Sequence, residues 1–113
     1  MPTSGDVVDL ELGAPEGREA GFRHPAVLVM AQRVLDGEPS VVHVVPLTST
    51  LRPFHSEIVL EPDEANGLDG PSAAQCQHIR AVSPNRISRV RGNVGAASLA
   101  QIRETIAAIL DLP

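Results

Sequence analysis

The sequence of 113 residues contains no lysine, tryptophan or tyrosine, and its only aromatic side chains are Phe22 and Phe54. The single cysteine, Cys76, excludes an internal disulfide and is consistent with a reducing, cytoplasmic location. Cys76 and His78 lack a second pair of ligands at a suitable spacing, so we predict no metal site and no cofactor. No apolar run approaches the roughly 20 residues of a membrane-spanning helix. Met1–Ser4 has no charged segment followed by an apolar one, so we expect neither a signal peptide nor a membrane partner.

The charge of the chain is acidic, with a net value of −5, and all nine strongly basic residues are arginines. A negative net charge argues against broad, nonspecific attraction to nucleic acid. Arginine nevertheless suits specific phosphate contacts, because its planar guanidinium binds phosphate through two parallel hydrogen bonds. A GC-rich genome would explain the preference for arginine equally well. Composition alone therefore does not identify the partner.

Short apolar or alternating segments predict a protein that is mainly β, folded as one domain over residues 1–113. A capping box at Ser98–Gln101 predicts the start of a C-terminal helix. Many short strands followed by one amphipathic helix favour a small, strongly bent sheet or barrel with the helix packed across it. The predicted strands are 8–12, 26–32, 41–45, 57–60, 75–82 and 89–94, with a helical turn at 83–85. Apolar and acidic residues alternate in the first of these strands, which predicts that it is half-buried. The predicted apolar face of the helix consists of Leu99, Ile102, Ile106, Ile109 and Leu110.

The segment Gly21–Met30 places two basic side chains directly before a proline and an apolar run. Pro25 has no N–H to donate, so we expect it to be the first residue of a strand. The run that follows is short and partly β-branched, which predicts a strand buried on both faces. Arg23 and His24 would then lie at the rim of a rigid strand, where a cation can be held against an anionic substrate.

Four segments resemble, in order, those of the MazF/PemK family of bacterial toxins, which are sequence-selective endoribonucleases. The match spans nearly the whole chain. The four segments are Gly5–Val7, Phe22–Met30, Val44–Ser49 and Ile79–Val82, the last followed by Arg86 and the C-terminal helix.

The resemblance implies an SH3-like small barrel, a homodimer, a single-stranded RNA substrate, cleavage without metal, and inhibition by a cognate antitoxin. In the family, the catalytic site is formed by an arginine before the strand proline and a threonine of the third segment. Carried over, this names Thr48 together with Arg23 or His24. The residues that we expect to contact RNA are Phe22, Ser49, Thr50, Arg52, His55, His78 and Arg80.

The sequence departs from the family pattern at the basic pair. Arginine usually stands immediately before the proline, whereas here His24 does so and Arg23 comes one residue earlier. Counting from Gly21 favours Arg23, and counting back from Pro25 favours His24. We favour Arg23, because a fixed cation paired with Thr48 matches the chemistry of the family.

Two other functions are compatible with such a fold. CcdB-type proteins share it and poison gyrase by binding a protein, without RNA-cleaving residues. A noncatalytic member that only binds an antitoxin or RNA is the second alternative. Because fold does not determine function, the basic–proline strand and Thr48 are what favour RNA cleavage.

Overall fold

Seven antiparallel strands and a C-terminal helix dominate the residues that the computed structural model describes, 2–12 and 23–113. Two short 3-10 turns lie at Cys76–His78 and Pro84–Arg86, and the second confirms the helical turn predicted after Ser83. None of the helices in these two ranges is long and apolar enough to cross a membrane. The elements are β1 Asp6–Glu11, β2 Arg23–Leu28, α1 Gln32–Leu35, β3 Val42–Thr48, β4 Glu57–Leu60, β5 Ser72–Gln75, β6 Arg80–Val82, β7 Ile87–Asn93 and α2 Gly95–Ile109.

The strands are ordered β4-β5-β3-β2-β1-β7, and β6 pairs with β3 outside this path. Strand β3 changes partner along its length, since Val42–Val44 pair with β6 whereas Leu47 and Thr48 pair with β5. Within the described residues β4 and β7 are the two ends of the path, so the sheet remains open. The predicted mainly β architecture with a C-terminal helix is thus confirmed, in the form of an open sheet.

Apolar side chains cover both faces of the central strands. On one face α2 packs through Leu99 and Ile102, and Arg103 of the same helix donates hydrogen bonds at 3.1 Å to the carbonyls of Val29 and Met30. The apolar run of β2 is buried on both faces as predicted, because neighbouring residues of a strand point to opposite sides. The two core clusters are centred on Val7, Val27, Val45, Leu99 and Ile102, and on Val8, Ala26, Leu28 and Val44.

Strand β1 is more deeply buried than its alternating sequence predicts. The alternation from Val8 to Leu12 predicts that Asp9 and Glu11 face solvent. Glu11 is exposed, but every residue from Asp6 to Leu10 is buried, and Asp9 is 0% exposed. The half-buried prediction is wrong for Asp9, because apolar clusters pack on both faces of β1: Val7 belongs to one cluster, and Val8 and Leu10 belong to the other. Arg91 of β7 provides a cation for Asp9 at 2.9 Å, and the pairing makes burial of the carboxylate tolerable.

The helix α2 begins four residues earlier than the capping box at Ser98 predicts. Its first residue is Gly95, so Val94 occupies the N-cap position and makes no capping hydrogen bond through its side chain. The N–H of Gly95 donates to Asn93 Oδ1 at 2.8 Å. Leu99 and Ile102 are buried as expected. The predicted apolar face is wrong in the last turn, where Ile109 and Leu110 are 45% and 56% exposed.

Several strand boundaries also differ from the prediction. Strand β2 begins at Arg23, two residues before Pro25, and pairs with β3 only from Ala26 onward, so the missing N–H of Pro25 interrupts no hydrogen bond on that side. The strand ends at Leu28 rather than near Gln32, where α1 begins. The predicted strand over 75–82 is interrupted by the 3-10 turn at Cys76–His78.

The loop of residues 61–71, which we call the docked loop, lies directly on β7. Its buried Asn66 accepts hydrogen bonds from the N–H groups of Asp63 and Leu68 and donates to the carbonyl of Glu61. A Cβ atom at Gly92 would lie 2.2 Å from the Ala65 carbonyl oxygen, so only glycine permits this approach. The docked loop is therefore a rigid neighbour of the β7 residues on either side of Gly92.

Candidate functional site

A groove of about 400 Å³ contains three of the predicted site residues, His24, His78 and Arg80. We call it the His24 groove. Strand β2 supplies His24, which lies opposite Leu10 of β1, and β6 supplies Arg80, opposite Val44 of β3. The sheet thus brings together basic side chains that are far apart in the sequence. The remaining lining residues are Leu10, Leu12, Pro25, Ala26, Val44, Pro46 and Gln75.

A second groove, of about 390 Å³, contains Thr48 and Ser49, and we call it the Thr48 groove. The backbone N–H of Thr50 donates to Thr48 Oγ1 at 3.1 Å. Because a hydroxyl both accepts and donates, this contact fixes the Thr48 oxygen and leaves its proton for a ligand. Pro25 lines both grooves, so the two predicted parts of the site meet there.

Arg91 also lines the Thr48 groove and was not predicted as a site residue. Its Nε donates to Asp9 Oδ1 at 3.0 Å, and its Nη1 lies 3.5 Å from Asp69 Oδ2 in the docked loop. A buried carboxylate requires a cationic or hydrogen-bonding partner. The alternation of β1 predicts Asp9 in solvent, however, so the sequence gives no signal for this pair.

The loop between β3 and β4 is anchored by an ion pair of Arg52 with Glu57. Arg52 Nε donates to Glu57 Oε1 at 3.3 Å and its Nη2 donates to Oε2, while Gln75 and Gln77 donate to Oε2 at 3.2 and 2.7 Å. These donors, above all Arg52, lower the pKa of Glu57 from 4.5 to about 2. Arg52 also lies over the ring of Phe54, 4.7 Å from its centroid, and Phe54 is 50% exposed. The predicted RNA-contacting residue Arg52 is thus engaged by a carboxylate within the protein.

The remaining predicted residues are spread around these grooves. His55 is exposed in the same loop as Arg52, and Thr50 is exposed beside Thr48. Arg23 is the first residue of β2 and pairs with Glu11, but its side chain lies outside the described part of the structure. Phe22 also lies outside the described residues.

Metal binding and a cysteine nucleophile are two further kinds of site that the described residues can be checked for. In the ranges 2–12 and 23–113, no three side chains of His, Cys, Asp or Glu are grouped so that they could hold a metal ion. Cys76 is buried, and burial raises the pKa of its thiol to about 11. The thiolate is the nucleophilic form of cysteine, and a raised pKa disfavours it at neutral pH. We therefore interpret Cys76 as a core residue and not as a nucleophile.

Solved structures of similar fold cover almost the whole chain. The Mycobacterium tuberculosis toxin MazF-mt6 matches with a TM-score of 0.75 and 22% identity, over 96% of this chain and 98% of the other. A MazE–MazF structure from Deinococcus radiodurans matches with a TM-score of 0.78 and 21% identity, over 99% and 97% of the two chains. At these identities the likeness establishes the fold.

Sequence comparison identifies the family. The chain is 33% identical over 116 residues to Endoribonuclease MazF9 of Mycobacterium tuberculosis (strain ATCC 25618 / H37Rv), which covers 99% of this chain and 98% of the relative. Residues 3–110 match the family described as PemK-like, MazF-like toxin of type II toxin-antitoxin system. The chain therefore belongs to the PemK/MazF family of toxins of type II toxin–antitoxin systems.

Proposed function

We propose that this toxin cleaves single-stranded RNA in the cytoplasm, using the 2′-hydroxyl of the RNA as the nucleophile and no metal ion. The observation that carries the proposal is the meeting of the His24 groove and the Thr48 groove at Pro25. Imidazole and guanidinium groups line the first groove, and a hydroxyl lies in the second. The 33% identity to a protein named Endoribonuclease MazF9 supports the same activity.

The reaction requires positioning, charge stabilisation and two proton transfers. The 2′-oxygen forms a bond to the adjacent phosphorus while the bond to the 5′-oxygen breaks, which leaves a cyclic phosphate and a 5′-hydroxyl. One proton leaves the 2′-hydroxyl, and one is delivered to the departing 5′-oxygen. The protein must hold the phosphate in line with the attacking oxygen and stabilise the growing negative charge.

Three residues, Arg23, His24 and Thr48, carry chemical groups suited to these tasks. Imidazole transfers protons readily near neutral pH, so we assign a proton transfer to His24. Arg23 remains a cation at all working pH values and stabilises charge on the phosphate, while Thr48 donates its hydroxyl to a phosphate oxygen. The position of Pro25 supports this set, because Pro25 lines both the groove that contains His24 and the groove that contains Thr48.

The residues around this centre are suited to hold the rest of an RNA strand. Phe54 presents half of its surface to solvent and offers a ring on which a base can stack. We assign further RNA contacts to Ser49, Thr50, His55, His78 and Arg80, as the sequence predicts.

We also propose that two subunits associate, and that an acidic antitoxin segment occupies the grooves in competition with RNA. Solved structures of related proteins contain a toxin with its cognate antitoxin, which supports an antitoxin partner.

The activity is tested with purified protein and a mixed RNA pool in the presence of EDTA. We expect cleavage to persist, and we expect a defined RNA with a single deoxy sugar at the cut site to resist, because it lacks the nucleophile. Thr48→Ala is the matched protein control and should cleave the all-ribose substrate poorly.

Three results would contradict the proposal in different ways. Cleavage of the deoxy substrate, or cleavage only after a divalent ion is added, would reject the mechanism. Inhibition of gyrase without RNA cleavage would support the CcdB-like alternative. RNA binding without cleavage would support a noncatalytic member of the family.

A further inference from the structure

Three charged residues, Asp9, Arg91 and Asp69, form a cluster at the Thr48 groove, in which Arg91 and Asp69 line the groove and Asp9 is buried behind Arg91. Arg91 lies at its centre, with 19% of its side chain exposed. The Asp9 side chain is 1% exposed on the inner side, and the Asp69 side chain is 98% exposed on the outer side. The Arg91 guanidinium is therefore held between a buried carboxylate and one that lies in solvent.

Asp9 binds only one edge of the Arg91 guanidinium. Arg91 Nε donates to Asp9 Oδ1 at 3.0 Å, and Nη2 lies 2.9 Å from the same oxygen. The other carboxylate oxygen, Oδ2, is buried without a hydrogen-bond partner among the described residues. A buried carboxylate with so few partners depends strongly on its cation. Asp9 thus fixes the orientation of Arg91.

The opposite edge of the guanidinium is directed toward Asp69 and is only weakly engaged. A guanidinium has five N–H donors, and the contacts with Asp9 leave those on Nη1 and one on Nη2. Nη1 lies 3.5 Å from Asp69 Oδ2, which is longer than the usual limit of about 3.2 Å for such a hydrogen bond. An ion pair with an exposed carboxylate contributes little stability, so Asp69 is easily displaced.

The backbone keeps Arg91 and Asp69 in a fixed relation. Gly67 of the docked loop has φ of +66°, and a Cβ atom there would lie 2.5 Å from the Arg91 carbonyl oxygen. The N–H of Asn93 donates to the Ala65 carbonyl at 2.8 Å. Because the docked loop rests on β7 on both sides of Gly92, Asp69 is held at the outer edge of Arg91.

We propose that Arg91 is a phosphate-binding residue of the Thr48 groove, and that Asp69 covers its outer edge until an RNA phosphate takes that place. This inference rests on the RNA-cleaving function proposed above and adds a second phosphate position beside Thr48. A phosphate accepts two parallel hydrogen bonds from one edge of a guanidinium and is a stronger partner than a single distant carboxylate oxygen. Asp69 repels the same phosphate and thereby opposes RNA binding.

The first test compares Asp69→Asn with Glu64→Gln, using RNA that carries a deoxy sugar at the cut site so that binding is measured without cleavage. Both residues are exposed and lie in the docked loop, so their positions are comparable. Each variant removes one carboxylate and therefore changes the net charge by the same amount. We expect Asp69→Asn to bind this RNA about fivefold more tightly than the unmodified protein, since one like charge a few ångström from the phosphate is removed. Glu64→Gln should bind within about twofold of the unmodified protein.

The second test replaces Asp9 and Arg91 together by leucine, because removal of Arg91 alone would leave a buried charge without its partner. Thermal unfolding establishes that this double variant is folded. If Arg91 binds one phosphate of a single strand, the slope of log K against log salt concentration should be shallower by about 0.7. Asp69→Asn, at an exposed position, provides a decisive result even if the double variant does not fold.

The outcomes separate this inference from the proposed function. If the unmodified protein cleaves RNA while Asp69→Asn binds it no more tightly than Glu64→Gln does, the phosphate position at Arg91 is rejected and the RNA-cleaving function stands. A folded double variant with an unchanged salt slope rejects it as well. If the unmodified protein neither binds nor cleaves RNA, both proposals fail.

Discussion

Among single residues, the neighbours Arg23 and His24 differ most in the chemistry that they offer. A guanidinium stabilises charge but is a poor proton donor or acceptor at neutral pH, because its pKa exceeds about 12. An imidazole can give and take a proton in that range. His24 lines the groove with His78 and Arg80, and it lies two residues before the β2 residue that pairs with Pro46. The two neighbours are therefore expected to affect RNA cleavage in different ways.

We predict that Arg23→Ala and His24→Ala both slow RNA cleavage, but with different dependence on pH. Loss of a charge that stabilises the transition state costs roughly 3 kcal/mol, or about a hundredfold in rate, and should leave the shape of the pH–rate profile unchanged. Loss of the proton-transferring group should remove one limb of that profile. The measurement is the cleavage rate of one defined RNA between about pH 5 and pH 9.

The control for both variants is Thr48→Ala, which should slow cleavage without changing the pH limbs. Near-normal cleavage by Arg23→Ala would reject its role as the phosphate cation. An unchanged pH profile for His24→Ala would reject the proton-transfer role of His24. It would leave Arg23 and Thr48 as the catalytic residues.

The residues that could be predicted from the sequence are those whose role follows from local pattern. The burial of Ala26, Val27 and Leu28 followed from a short apolar run, and Thr48 was named from the family's motif. Arg91 could not be predicted as a groove residue, because its partner Asp9 is 82 positions away and only the pairing of β1 with β7 brings them together. Local alternation likewise predicted Asp9 in solvent, because the pattern within one strand does not reveal that apolar clusters pack on both of its faces.

At the scale of structural elements, the loop of residues 49–56 combines predicted and unpredicted features. Its sequence predicted contacts with RNA from Arg52 and His55. The buried carboxylate of Glu57, at the start of β4, instead binds Arg52 through both of its oxygens. The loop is thus fixed at its β4 end by an internal ion pair, and Phe54 is presented to solvent next to that anchor.

We predict that the protein loses stability in acid because Glu57 becomes protonated. Its pKa is lowered from 4.5 to about 2 in the folded state, chiefly by Arg52, so the unfolded state binds more protons between those values. The stabilisation by Glu57 is therefore fully present above pH 4.5 and is lost as the pH falls toward 2. The measurement is the difference in Tm between the unmodified protein and Glu57→Gln, which should shrink over this interval.

Glu61→Gln is the matched control, because Glu61 is an exposed carboxylate that follows the same strand. Its Tm should differ little from that of the unmodified protein throughout the titration. A constant difference for Glu57→Gln between neutral and acidic pH would show that the Arg52 contact does not depend on the charge of Glu57.

At the scale of the whole molecule, the charge balance bears on the oligomeric state. The chain has a net charge of −5 and only nine arginines, which is few for a protein that binds a polyanion. Association of two subunits would place the arginines of both beside one RNA strand. This is the physical reason for the homodimer in our proposal.

We predict that RNA cleavage requires a homodimer whose RNA groove crosses the subunit interface. Sedimentation should show a dimer at concentrations where the protein is active, and cleavage per subunit should fall on dilution as the dimer dissociates. An active monomer at working concentration would contradict this prediction.

A synthetic acidic peptide with the sequence of the cognate antitoxin's binding segment should compete with RNA for the dimer.

The pairing of β1 with β7 has a consequence for the time at which the toxin is completed during its synthesis. Asp6 near the start of the chain lies opposite Asn93 near its end, so β1 leaves the ribosome long before its partner exists. Contacts between distant segments form late in folding, because a long stretch of chain must first be ordered. Arg91 and the support for the docked loop also arrive with β7. A nascent chain that ends before β7 therefore has no finished Thr48 groove, because Arg91 is part of that groove.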